Sequence, residues 1–161
     1  MAYVDGFVLP VPKKSLAAYR AIAKMASNIW IEYGALEYRE CWGDDLKTKM
    51  GIPFTKLAKT KPSETVVFAW IVYKSRASRN SINAKVMKDP RLANMDPKKM
   101  PFDCKRMTYG GFKIIVEKMA GAKKAKASAK KKSKPRRATA KDKAATIADN
   151  TVALGVVGNT P

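Results

Sequence analysis

Thr65-Val66-Val67-Phe68-Ala69-Trp70-Ile71-Val72-Tyr73 is the stretch that decides how this chain folds. From Val66 to Tyr73 eight apolar residues run without a charge, rich in β-branched and aromatic side chains. Pro62-Ser63-Glu64 and Lys74-Ser75 bound them. The run has the length of a strand and is too short to cross a bilayer. A strand without polar alternation must be covered on both faces, which places it in the middle of a sheet.

Working outward, Tyr3 to Val11 reads as a second strand, with Tyr3, Asp5, Phe7 and Leu9 on one face and Val4, Gly6 and Val8 on the other. Pro10 and Pro12 are expected to end it. From Ser15, Leu16, Tyr19, Ile22, Ala23, Ala26, Ile29, Trp30 and Tyr33 recur at helical spacing, and Gly34 stands where a left-handed residue would stop the helix. Leu36 to Trp42 alternates as an outer strand, with Leu36, Tyr38, Glu40 and Trp42 pointing one way. The following Gly43-Asp44-Asp45 reads as a turn, because two carboxylates are too few oxygen ligands for a divalent cation. Residues 46–62 are irregular, with one helical turn from Phe54 to Lys59. Ser75 is a candidate N-cap for a helix to about Lys88, stopped before Pro90. Arg79 and Asn83 border its apolar stripe and either snorkel along it, the favoured reading, or reach into a pocket. Asp89 to Arg106 reads as a loop and Met107 to Val116 as the last strand, where Gly110-Gly111 suggests a bulge or a close backbone approach.

The order strand, helix, strand, strand, helix, strand predicts an α+β domain over residues 1–118: a ferredoxin-like βαββαβ antiparallel sheet with helices on one face. Its other face would expose a large apolar patch that monomers seldom tolerate, so two copies are expected to pair through their sheets.

Composition then limits the chemistry. The chain carries 33 Lys and Arg against 13 Asp and Glu, a net charge of +20, with no histidine. Residues 1–118 hold +11 of that charge and residues 119–161 the other +9. Without histidine there is no Ser-His-Asp or Cys-His nucleophile and no His-ligated haem or zinc, and Cys41 and Cys104 alone make a poor metal site. No metal and no cofactor is expected. The N-terminus shows neither a charged lead nor a long apolar run, the pattern of a reduced cytoplasmic protein without a membrane span. Residues 119–161 are Lys/Ala-rich, lose all apolar periodicity and are expected to be disordered. Lys130, Lys131, Lys132, Lys134, Arg136 and Arg137 could contact nucleic-acid phosphates without reading bases.

Several motifs resemble one family. Tyr3-Val4-Asp5-Gly6-Phe7-Val8, Glu40-Cys41-Trp42, Glu64 to Ile71, Asp89-Pro90-Arg91, Met100-Pro101-Phe102-Asp103 and Lys105 to Phe112 are similar to the YbaA-like family of small bacterial proteins, whose function is not established. Cys104 departs from that pattern, which has glycine there, and the loop Leu46 to Pro53 lacks its usual Val-Pro-x-Gly form. The resemblance covers about residues 1–118 and implies the dimeric α+β barrel superfamily. That superfamily includes cofactor-independent monooxygenases, haem-degrading enzymes and isomerases, but a shared fold transfers none of those activities.

Three functions follow as expectations. The first is a homodimer that binds a small molecule, or acts as a cofactor-independent enzyme, in a pocket between sheet and helices. There Asp5 or Glu40 would be the catalytic base, since burial favours the protonated form of a carboxylic acid. Tyr3, Trp42, Arg79, Asn83, Arg106 and Tyr109 would contact the ligand, with Arg106 anchoring an anion. The second is non-specific nucleic-acid binding through the tail. The third is a structural or regulatory dimer without a ligand.

Overall fold

In a computed structural model of the chain, residues 1–96 and 99–118 are described. Strand β1 spans Tyr3–Pro12, helix α1 Leu16–Glu32, β2 Glu37–Trp42, a single turn α2 Phe54–Leu57, β3 Glu64–Tyr73, α3 Arg76–Val86, a second single turn α4 Pro90–Ala93, and β4 Thr108–Lys113. The strands form one antiparallel sheet in the order β2-β3-β1-β4. The chain is thus α+β, and its two most apolar strands, β3 and β1, are the inner pair.

Register fixes which side chains meet. Leu9 lies opposite Val67, Phe7 opposite Ala69, Asp5 opposite Ile71 and Tyr3 opposite Tyr73. On β2, Tyr38, Glu40 and Trp42 align with Ile71, Ala69 and Val67, so all of these side chains share one face. Helices α1 and α3 pack on that face. Trp30 of α1 touches the Tyr38 ring, and Arg79 of α3 reaches Asp5. Trp30, Tyr73, Leu9, Ile29, Val11 and Val86 are fully buried there. Each such side chain contributes roughly 1.5–3 kcal/mol, which makes this layer the source of the domain's stability.

The opposite face carries Val4, Val8, Val66, Phe68, Trp70, Val72 and Phe112. It is covered only at one end, where Phe54 of α2 meets the Phe68 ring and Val66 is buried. One helical turn therefore lies on the side expected to be free of helices. Phe68 and Phe112 stay 42% and 58% exposed.

Local expectations change at four places. β1 continues through Pro10 to Pro12, because its pairing with β4 stops at Val8 opposite Thr108. Beyond Val8 that side of β1 is an open edge, where a proline's missing N–H costs nothing. The segment after Asp89 is not all loop, since the Asp89 carboxylate caps α4 by accepting from Arg91 N. Arg79 does not snorkel: it is buried against Asp5. At Gly110-Gly111 the register with β1 is unbroken, and the close neighbour of Gly111 is a side chain, not the expected second backbone. A Cβ there would lie 2.8 Å from Tyr3 Cε1.

Candidate functional site

Sheet alternation and the α1 stripe together bring Glu40 beneath the first turns of α1. Its carboxylate accepts a hydrogen bond from the Tyr19 hydroxyl at 2.8 Å and another from the Tyr38 hydroxyl at 2.8 Å. Burial raises the pKa of Glu40, and the two phenol donors only partly oppose that rise. The same burial, with the Glu40 charge beside them, pushes the Tyr19 and Tyr38 phenols upward, so both remain donors at neutral pH. Leu16, Arg20, Ala23, Trp42 and Val67 complete the walls of a cavity of about 130 Å³ against Tyr19 and Glu40. Arg20 is exposed at this cavity and forms no ion pair among the described residues. The result is a small apolar chamber with one basic carboxylate inside and one cation at its wall. An apolar cavity of about 150 Å³ takes up benzene, so this one suits a ligand of comparable size.

A second cluster stands apart. Asp5 is 2% exposed and accepts from Arg79 Nε at 2.8 and 3.0 Å and from Asn83 Nδ2 at 3.4 Å. Asn83 Oδ1 in turn accepts from Trp30 Nε1 at 3.2 Å and from the Tyr73 hydroxyl at 3.1 Å. Among the described residues no buried side-chain nitrogen or oxygen lacks a partner, so this network is closed upon itself. It joins β1, β3, α1 and α3. Asp5 is on β1 and Glu40 on β2, with β3 between them, a separation of roughly 10 Å across the sheet.

The chain belongs to a family of unknown function. The family model that matches residues 2–104 is described as "Protein of unknown function (DUF1428)". The "Uncharacterized protein YbaA" of Escherichia coli strain K12 is 44% identical over 117 residues, covering 73% of this chain and 99% of that relative. The proteins of the same name from Escherichia coli O157:H7 and Shigella flexneri match to the same extent. The DUF1428 match includes Asp5, Glu40, Trp42, Arg79 and Asn83 and stops before Arg106 and Tyr109.

Those last two residues lie elsewhere. Arg106 binds Glu64 through two nitrogens at 2.7 and 2.8 Å, Asp103 at 2.8 Å and the Lys59 carbonyl at 3.1 Å. Glu64 precedes Ala69, the register partner of Glu40, by five residues, which is roughly 17 Å along β3. Tyr109 stacks on Phe7 with ring centroids 6.2 Å apart, and Tyr3 packs over Gly111. The eight residues singled out in the sequence therefore divide among separate places, and only Glu40 and Trp42 share a cavity. Tyr19 and Arg20 were missed as site residues. Tyr19 belongs to the apolar stripe of α1, and nothing local says that it faces a carboxylate on β2. Lys130, Lys131, Lys132, Lys134, Arg136 and Arg137 lie outside the described residues. Among the described residues no helix is long and apolar enough to cross a membrane.

Proposed function

We propose that the domain binds a small molecule in the cavity between α1 and the sheet, with Glu40 as its proton acceptor. The observation that carries this reading is the Glu40 carboxylate itself, half-buried, held by Tyr19 and Tyr38, and open to a chamber walled by Trp42, Leu16 and Val67. A carboxylate whose pKa burial raises is a stronger base than an ordinary one, and proton abstraction by it needs no cofactor. Binding alone and cofactor-independent catalysis both use this geometry. Asp5, Arg79 and Asn83 act here as a frame that holds α3 against β1, and Trp42 supplies the flat wall. A thermal-shift screen of small metabolites tests the site. Hits are expected to lose their stabilisation in Glu40→Gln while that variant still melts cooperatively. Hits that persist unchanged in Glu40→Gln and in Trp42→Ala would move the ligand elsewhere.

The fold reading that accompanies this is a ferredoxin-like domain, supported by the order β2-β3-β1-β4, assembled as a cytoplasmic homodimeric α+β barrel. Support for pairing comes from the apolar side chains of the second face, Val4, Val8, Phe68, Trp70 and Phe112, of which Phe112 is 58% exposed. Patches of this kind mark interaction surfaces. Size-exclusion chromatography with light scattering decides it, since a clean monomer at micromolar concentration contradicts the pairing.

A second reading assigns non-specific nucleic-acid contacts to residues 119–161. Eleven Lys and Arg against two acids support it. If a chain ending at residue 118 binds DNA with unchanged affinity, the tail has no such role.

A further inference from the structure

Lys59 is the only non-glycine residue with positive φ among the described residues, at +49°. It follows α2, whose end is closed by Lys59 N donating to Lys56 O at 3.2 Å and Thr60 N donating to Thr55 O at 2.9 Å. These paired bonds form a Schellman ending, and the position Lys59 occupies in it is usually glycine. A side chain there is disfavoured by contact between Cβ and the following carbonyl. Residues kept in such conformations point toward a role for what the side chain carries.

What it carries is a charge, and Lys59 lines a cavity of about 170 Å³ together with Lys105, Arg106 and Thr108. Arg106 is committed to Glu64 and Asp103. Neither Lys59 nor Lys105 forms an ion pair among the described residues. Lys61 lies close enough to lower the pKa of both Glu64 and Asp103. Counting Lys61, which lies beside Glu64 and Asp103 and outside the cavity lining, the cavity and its surroundings hold four cations to two carboxylates, a surplus of two positive charges. Of the five guanidinium N–H groups of Arg106, four are used in the bonds to Asp103, the Lys59 carbonyl and Glu64, and one remains.

We propose that this cavity binds a phosphoryl group, with Lys59 and Lys105 supplying charge and Arg106 and Thr108 supplying hydrogen bonds. The surplus matches a phosphate monoester, which carries close to two negative charges at neutral pH, better than a monocarboxylate. Lysine serves such groups as a point charge, which suits an open cavity better than bidentate recognition does. The site is distinct from the Glu40 chamber and does not depend on it. Two adjacent phosphodiesters of a nucleic-acid backbone carry the same two charges as one monoester, so the ligand could be a free phosphorylated compound or such a backbone, and the test separates these sources.

Titration calorimetry of the full chain at low ionic strength uses inorganic pyrophosphate in one arm and single-stranded oligothymidylate in the other. Full-length Lys59→Gly and Lys105→Ala are compared with the parent, so residues 119–161 contribute equally throughout. Each substitution is expected to weaken binding roughly tenfold, the effect of losing one charge-assisted contact. Weakening with pyrophosphate assigns free phosphate compounds, and weakening confined to the oligonucleotide assigns the backbone. Either supports the cavity. Lys59→Gly is also expected to melt no lower than the parent, which separates lost charge from lost folding. Unchanged affinity in both arms for both variants overturns the proposal.

Discussion

Asp5 on β1 and Arg79 on α3 form a buried ion pair at 2.8 Å, with side chains 3% and 9% exposed, across 74 positions of sequence. Burying both charges yields little net stability, but removing one leaves the other without compensation. Arg79→Met is expected to cost about 3–5 kcal/mol in urea unfolding at pH 7. The double variant Asp5→Leu, Arg79→Met should recover most of that loss. Recovery fails if the pair contributes attraction well beyond its own desolvation.

Glu40 gives a pH signature of the opposite sign to most carboxylates. Its folded pKa lies above the ordinary value of 4.5, so between those two values the folded state holds more protons than the unfolded state. Its contribution is therefore most favourable below 4.5 and declines as pH rises through the folded value. Glu40→Gln should remove this decline from a stability-versus-pH curve. A curve of unchanged shape would mean that the carboxylate is not held in a protonation-sensitive environment.

Glu64 works the other way. Hydrogen bonds from Arg106, aided by the Lys61 backbone N–H, hold its pKa at about 2, below the ordinary 4.5. The stability it confers is complete above 4.5 and is lost as pH falls toward 2. Glu64→Gln should lower stability at pH 7 and flatten the acid limb, read by denaturant unfolding across that range. The two carboxylate variants thus change different limbs of one curve.

The left-handed Lys59 offers a stabilising substitution. Lys59→Gly is expected to raise unfolding stability by about 1 kcal/mol, because glycine adopts that conformation without a Cβ penalty. A destabilised Lys59→Gly would mean that the lysine stem packs against Leu57 or Met107 more than its backbone suffers.

Phe68 projects from the second sheet face, where its ring meets Phe54 and Trp70 at 5.9 and 5.4 Å. If two copies pair there, Phe68→Glu should shift the light-scattering mass to that of one chain at micromolar concentration. Since Phe68 is 42% exposed within its own chain, its circular dichroism spectrum should stay that of the parent. An unchanged mass removes Phe68 from any interface.

The strands were legible because their burial pattern is local. The uninterrupted run Val66 to Tyr73 gives an inner strand, and the alternation around Glu40 gives an edge. The α1 stripe, the Ser75 cap and the stop at Gly34, with φ +106°, follow from rules a few residues long. Asp89 ahead of Pro90 is a helix-start signature, an acid before a proline at N1, which the reading of this segment as a loop overlooks. What could not be read is which polar residues meet. Tyr19 finds Glu40 across 21 positions, and Arg106 finds Glu64 across 42. Those meetings depend on strand register and helix docking, which no short window of sequence contains. For that reason one supposed pocket became a closed network, a chamber and a basic cavity.

The pairing of Tyr3 with Lys113 brings the two ends of the sheet's outermost ladder to the same side. A force drawing Tyr3 and Lys113 apart would load the β1–β4 bonds one at a time, peeling them like a zipper instead of shearing them together. Pulled in this direction, the last strand should detach at low tension while β1, β2 and β3 keep their places.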